Sequence, residues 1–298
     1  MEIMHATAEQ RKQTGAWFHA LRERIMERFE ALEQRLPLPG MESLQAGQFT
    51  RTDWLRSDHH DNGPDAHQGG GQMGLMYGRL FEKVGVNVST VYGRFPNTIA
   101  DELPGDDGSG AFWASGLSLV AHMQSPHVPN IHMNTRFIST AGKCWFGGGI
   151  DLNPVIRYQN DEVLFHQRLE QLCEQHFPGS YPGFKRACDD YFMIPHRKVA
   201  RGAGGIFFDR INHDDWSCDL GFIKAVGECF LELFPHMVER RAMMPWTSDQ
   251  REQQLAWRGR YAEFNLLYDR GTKFGLMTGA SPQAVLMSLP PLASWKAI

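Results

Sequence analysis

Cysteines are few in this sequence, and their spacing excludes the sites that cysteine pairs usually build. The five cysteines among 298 residues are scattered, odd in number and never arranged as C-x-x-C. We therefore expect neither a disulfide framework nor a cysteine zinc site, and a reducing compartment suits the chain best. The predicted location is the cytoplasm.

Long apolar runs and a strong excess of one charge are missing as well. No apolar stretch is long enough to span a bilayer, and no signal-peptide core is visible, so we expect no membrane span. Thirty basic residues against 34 acidic ones give a formal net charge of −4. This balance argues against a phosphate-backbone footprint, and hence against nucleic acid as a partner.

No internal repeat and no regular strand–helix alternation is present either. Short β-prone segments are predicted at 84–92, 117–123, 131–138, 143–146, 205–208 and 261–269. Helices are predicted at about 8–35, 161–176, 183–191, 221–243 and 248–258, and a mobile glycine-rich loop at about 56–72. This order predicts one α+β domain over residues 1–298, with a large, mostly antiparallel sheet covered by helices on both faces.

The segment 131–138 carries the most informative alternation. As a strand it places His132, Asn134 and Arg136 on one face, and Thr135 with apolar residues on the other. A solvent-facing strand surface accounts for the polar face about as well as a pocket wall does. Antiparallel pairing with the preceding strand would bring polar residues at 118 and 122 beside the row, which favours a binding site.

Two glycine clusters, at 147–149 and 202–205, flank this region. They either form tight turns or let the backbone approach something bulky and flat. Neither matches a nucleotide-binding fingerprint, because no Lys-Ser/Thr pair follows the first and the second precedes a strand. Further on, Asp269-Arg270 places an acid beside a cation at a predicted strand end, which suits either a catalytic group or a local ion pair.

Taken together, these segments resemble the oxygen-dependent coproporphyrinogen III oxidases from about residue 50 to the C-terminus. The longest matching stretches are VPNIHMNTRF at 128–137, WFGGGIDL at 145–152 and RGAGGIFFD at 201–209. The resemblance implies oxidative decarboxylation of two propionates of coproporphyrinogen III to vinyl groups, giving protoporphyrinogen IX, CO₂ and H₂O₂ in haem biosynthesis. It also implies O₂ as co-substrate, no organic cofactor, and a homodimer formed through about 261–296.

The resemblance also assigns roles to single residues. It implies that His132 donates a proton, and that Asp151 and Asp269 hold or deprotonate pyrrole N–H groups. The substrate-binding positions that it implies are Ser118, Asn134, Thr135, Arg136, Arg270, Gly279, Ala280 and Ser281. Relatives often carry an arginine where this chain has Ser281, so a carboxylate contact there is either lost or made by backbone amides. The segment 58–67 lacks an obvious counterpart in the family.

Four histidines occupy positions that are metal ligands in some members of that family: His122, His132, His166 and His196. None has the H-x-x-x-H or H-x-H spacing typical of a metal site, so each is better explained as a structural histidine. A firm metal bond would also compete with the proton role of His132. A non-catalytic tetrapyrrole-binding protein and a metal-dependent hydrolase using these histidines are the alternative interpretations.

Overall fold

A seven-stranded antiparallel sheet forms the centre of the computed structural model, which describes residues 4–36, 38, 40–41, 43–56, 67–94, 104–277 and 279–295. Its strands follow the order β1-β2-β3-β4-β5-β6-β9, and each pairs antiparallel with its neighbours. They are β1 (Thr50–Leu55), β2 (His67–Met76), β3 (Phe81–Arg94), β4 (Ala111–Met123), β5 (Asn130–Thr140), β6 (Cys144–Asn153) and β9 (Gly204–Ile211). The short strands β7 (Met193–Ile194) and β8 (Val199–Ala200) pair separately.

Helices account for most of the remaining described residues. They are α1 (Ala8–Arg35), α2 (Gln159–His176), α3 (Tyr181–Tyr191), α4 (Trp216–Arg241), α5 (Ser248–Leu267), α6 (Arg270–Met277) and α7 (Pro282–Leu286). Among the helices of the described ranges, none combines the length and apolarity that crossing a bilayer requires.

One face of the sheet is packed against α1 and α4. The helix predicted at about 8–35 is observed as α1, and Leu21, Ile25 and Phe29, four residues apart, are fully buried on this side of it. Phe29 stacks on Phe81 of β3 with ring centroids 4.6 Å apart. Burial of such aromatic rings away from water supplies much of the stabilisation of this layer.

The opposite face is glycine-rich, and the C-terminal segments cover part of it. The side chain of Met287 lies over Gly85, where a Cβ atom would come within 2.8 Å of the methionine sulfur. The Gln254 amide of α5 donates to the Met123 carbonyl over 2.9 Å, and the Lys83 ammonium donates to the Leu289 carbonyl over 2.7 Å. Helices therefore cover both faces, and the predicted α+β fold is confirmed.

Two predicted elements were wrong. The expected strand at 261–269 is the C-terminal half of α5, where Tyr261, Phe264 and Asn265 are buried at helical spacing. Residues 67–72 of the predicted loop form the start of β2, whose glycines lie against Trp54. The rest of that loop, 57–66, lies outside the described residues, as does nearly all of the 58–67 segment.

Candidate active site

A row of polar side chains crosses the glycine-rich face of the sheet on three consecutive strands. Ser118 of β4 lies opposite Asn134 of β5, and His132 of β5 lies opposite Asp151 of β6. This register confirms the pairing predicted for the strand that precedes 131–138. Ser118, His132 and Asn134 are all partly exposed, whereas the alternate residues of these strands point into the core.

His132 is held from behind by a buried carboxylate. Its Nδ1–H donates to Asp151 Oδ1 over 2.7 Å. The carboxylate also accepts from the Asn153 amide over 2.8 Å, and from Arg201 through both oxygens at 2.7 and 2.8 Å. These bonds fix the ring orientation and keep the proton on Nδ1, so Nε2 is directed away from Asp151 towards Asn134.

Arg201 is the counter-charge of Asp151 and is itself surrounded by aromatic rings. Its guanidinium carbon lies 3.8 Å from the Phe192 ring centroid and 4.8 Å from those of Tyr261 and Phe264. Burial alone would raise the pKa of Asp151, but Arg201 and then the His132 hydrogen bond outweigh it and hold that pKa at about 2. Asp151 is therefore an anion at neutral pH.

Asn134 connects His132 to the open side of the row. Its Nδ2 lies 3.2 Å from His132 Nε2. Its Oδ1 is buried and has no hydrogen-bond partner among the residues that the structure describes. An unpartnered buried acceptor costs free energy, so this oxygen is suited to receive a donor from a bound molecule.

Arg136 lies at one end of the row and crosses β6 to reach β9. Its Nη2 donates to Asp209 Oδ1 over 2.8 Å, and both side chains are about one-third exposed. Gly147 makes this path possible, because a Cβ atom there would lie 2.9 Å from Arg136 Nη2. Glycine at 147 thus serves close approach within a strand rather than a turn.

Thr135 does not share the polar face. It is fully buried on the opposite side of β5, as strand alternation requires. The structure therefore places this sequence-predicted substrate residue beneath the row rather than within it.

Asp269 and Arg270 lie at the β9 edge of the same face. Asp269 accepts from the Tyr191 hydroxyl over 2.8 Å and from the Thr272 backbone N–H over 2.6 Å. Burial and then the charge of Asp269 raise the pKa of Tyr191 to about 12, so this phenol remains a donor. The exposed Arg270 has its guanidinium 4.9 Å from the Tyr191 ring centroid. Tyr191 in turn stacks on Phe207 of β9.

Gly279, Ala280 and Ser281 form the turn between α6 and α7. Gly279 has a φ of +77°, and the Ala280 N–H donates to the Gly275 carbonyl over 3.0 Å. Ser281 precedes α7, which packs through Ala284 near Met73 at the β1–β3 end of the sheet face.

The four candidate metal ligands are not brought together. His122 is fully buried and donates from Nε2 to the Ser288 carbonyl, and burial followed by Arg258 lowers its pKa to about 3. His166 bonds Tyr181 and Ala203, and His196 bonds Tyr268 and Glu263. Within the described ranges, no group of three or more His, Cys, Asp or Glu residues could hold a metal ion. As placed, these histidines do not fit a shared metal.

Comparison with known proteins shows the family of this chain. Residues 13–297 match the family model for coproporphyrinogen III oxidase. The chain belongs to the coproporphyrinogen III oxidase family. It is 46% identical over 285 residues to the oxygen-dependent coproporphyrinogen-III oxidase of Rickettsia bellii (strain RML369-C), covering 96% of this chain and 98% of that protein. The oxidase of Rickettsia africae (strain ESF-5) is also 46% identical, over 95% of this chain and 97% of its own length.

Several residues of this family member's site were not predicted from its sequence. Arg201, Asn153 and Asp209 received no role, although each now contacts a predicted residue. Arg201 and Asp209 do stand at the two ends of the RGAGGIFFD stretch. That position was the available signal, because charged residues bordering a buried strand often mark a site.

Proposed function

We propose that this chain catalyses the oxygen-dependent decarboxylation of two propionates of coproporphyrinogen III to vinyl groups. Each step consumes one O₂ and releases one CO₂ and one H₂O₂, and two steps give protoporphyrinogen IX. The observation that carries the proposal is the buttressed His132 on a polar, partly exposed sheet face. Family membership supports the reaction class, and the site chemistry supports the roles below.

His132 is the proposed proton donor, and Nε2 is the nitrogen that exchanges the proton. Asp151 keeps Nδ1 protonated, so only Nε2 can change its protonation state in the cleft. The Asn134 amide suits both states of the ring. Its NH₂ group donates to neutral Nε2, and after a half-turn its oxygen accepts from the imidazolium.

Asp151 is better suited to position His132 than to act as a base. With its carboxylate buried, bonded by three donors and held at a pKa of about 2, it has little tendency to take a proton. While His132 Nε2 carries no proton, the unpartnered Asn134 oxygen provides an acceptor for a pyrrole N–H instead. Asp269 is partly exposed at the β9 edge and remains the proposed carboxylate for a second pyrrole N–H.

Arg136 and Arg270 are the proposed cationic anchors for substrate propionates. Both retain solvent access, and among the described residues Arg136 has one bond, to Asp209, which leaves other N–H groups of its guanidinium for a carboxylate. Ser118 adds a hydroxyl between them and the β3 side of the face. The substrate is a macrocycle with four carboxylates, which suits several separated anchors.

The proposal involves no organic cofactor, with O₂ oxidising the electron-rich substrate directly. No step is assigned to a metal, because the four histidines do not converge. Metal analysis of protein prepared without added metal, together with activity in the presence of a chelator, tests this point. Loss of activity in chelator that is restored by one metal would contradict it.

We also propose a homodimer formed through residues 261–296, in the cytoplasm. Leu266, Leu267 and Leu292 are each about half exposed in this region, and such apolar side chains suit burial against a second copy of the chain. Light scattering should give about twice the chain mass for wild type, and Leu266→Lys should shift it towards the monomer. Val163→Lys, at an exposed position in α2, is the matched control.

The reaction itself is tested by oxygen uptake with coproporphyrinogen III, followed by protoporphyrin fluorescence after oxidation of the product. Arg136→Ala should mainly raise KM, and Asp269→Asn should mainly lower kcat. Folded protein that binds substrate under air without forming product would favour the non-catalytic tetrapyrrole-binding protein.

A further inference from the structure

A second amide, that of Asn87, lies in the same row as Ser118 and Asn134, on the strand beyond them. Asn87 of β3 pairs with Ser118, so the three residues form one line across β3, β4 and β5. Like the other two, Asn87 is partly exposed, while Val86 and Val88 on either side of it are buried. Nothing in the roles proposed above uses Asn87.

The side chain of Trp54 controls how Asn87 faces the cleft. From β1 the indole crosses β2 above Gly71, where a Cβ atom would lie 2.8 Å from two ring carbons. Its Nε1–H then donates to Asn87 Oδ1 over 2.9 Å. Trp54 also packs against Met73, Ala284 and Met287, which restrains the ring.

This bond decides which half of the amide is available to a ligand. An asparagine side chain has one acceptor oxygen and an NH₂ group with two donors. With the oxygen bonded to Trp54, the NH₂ group is left to face the rest of the row. The cleft at β3 therefore offers donors, which suit an anionic oxygen.

We propose that Asn87 binds a substrate propionate that is not decarboxylated, and that Trp54 is its positioning residue. Neighbouring strands lie about 4.8 Å apart, so Asn87 is about 10 Å from Asn134 and the reacting group beside His132. One carboxylate cannot bridge that distance, so the anchor at Asn87 serves a different propionate. This inference rests on the proposed function and adds a specificity determinant to it.

The first test is the kinetics of Asn87→Asp and Trp54→Phe. Asn87→Asp keeps the acceptor for Trp54 but replaces the donors by a negative charge, so KM should rise about tenfold or more while kcat changes little. Trp54→Phe keeps the ring and removes the N–H, so KM should rise several-fold. Gln72→Ala, on the other face of neighbouring β2, is the control and should match wild type.

The second test uses a substrate analogue whose two non-reacting propionates are methyl esters. Wild type should turn it over with a higher KM than the free acid, whereas Asn87→Asp should show a smaller preference, because only the arginine anchors still distinguish acid from ester. An equal ester penalty in both proteins would overturn the proposal, as would an unchanged KM in Trp54→Phe. If Asn87→Asp does not fold, the ester comparison with Trp54→Phe decides the question.

Failure of the proposed function is distinguishable from failure of this inference. Coproporphyrin III, the oxidised and unreactive ring, can be titrated by its absorbance with any of these variants. If wild type binds it more tightly than Asn87→Asp but never turns over coproporphyrinogen III, the anchor stands and the proposed reaction fails. Equal binding by both proteins overturns the anchor.

Discussion

Removing the charge of Asp151 should destabilise the fold by leaving Arg201 buried without a counter-ion. In Asp151→Asn the guanidinium loses its counter-ion and, among the described residues, keeps the Asn265 oxygen, its aromatic neighbours and one neutral amide oxygen at 151. Breaking a buried pair by removing one partner usually costs about 3–5 kcal/mol. The rings around Arg201 offset part of this cost, so we expect a loss of about 3 kcal/mol in the free energy of unfolding at pH 7.

The pH dependence of stability provides an independent estimate of what the Asp151 charge contributes to the free energy of unfolding. A carboxyl pKa held at about 2 rather than 3.8 contributes about 2.5 kcal/mol at neutral pH. Because the folded pKa is depressed, this contribution is complete well above pH 3.8 and is lost as the pH falls towards 2. At pH 3 about 1 kcal/mol of it should already be gone. The stability gap between wild type and Asp151→Asn should narrow by that amount.

Denaturant unfolding followed by tryptophan fluorescence measures both effects. Arg201→Met and the double variant complete a double-mutant cycle, in which the double variant should lose less than the two single variants summed. If the stability difference between wild type and Asp151→Asn stays constant between pH 7 and pH 3, the lowered pKa of Asp151 does not contribute to stability as argued. Additivity within about 0.5 kcal/mol would show that Asp151 and Arg201 do not act as a pair.

Three further variants test other features. Gly147→Ala should displace Arg136 and raise KM with little change in melting temperature, and an unchanged KM would show that Arg136 does not bind substrate from its present position. Gly15→Ala places a methyl group in open space within α1 and should raise the free energy of unfolding by about 0.5–1 kcal/mol without altering kinetics. Glu33→Gln should lower the free energy of unfolding by about 2–3 kcal/mol. The buried carboxylate accepts four backbone N–H groups, and an amide has only one acceptor oxygen. A loss below about 1 kcal/mol in denaturant unfolding would contradict this reasoning.

Strand alternation made half of the site predictable. In β5 the apolar residues occupy every second position, so the face carrying His132, Asn134 and Arg136 follows from the sequence and is observed. Pairing with β4 was also predictable, but for a different reason: a short connection joins the two strands. The partners from the 201–209 stretch were not, because Arg201 is 50 residues from Asp151 and α2 and α3 intervene.

Glycine misled the prediction at two places. Gly69 to Gly71 resemble a loop, yet they lie in β2, where larger residues would collide with Trp54 or with the β3 backbone. Gly259 directly follows the helix predicted at 248–258, yet α5 continues through it, and glycine is needed there because a Cβ atom would lie 2.6 Å from the Ser294 carbonyl oxygen. In both cases glycine answers a long-range contact that no local pattern reveals.

The meander from β4 to β6 makes the site unusually sensitive to insertions within its strands. The central groups of the site all come from residues 118–151. Whether each side chain faces the site or the core depends on whether its position along the strand is odd or even. One extra residue in the middle of β5 would turn either His132 or Arg136 into the core, whereas extra residues in the 124–129 connection would leave both in place. Natural or engineered length variation in this segment should therefore be tolerated in its turns and excluded from its strands.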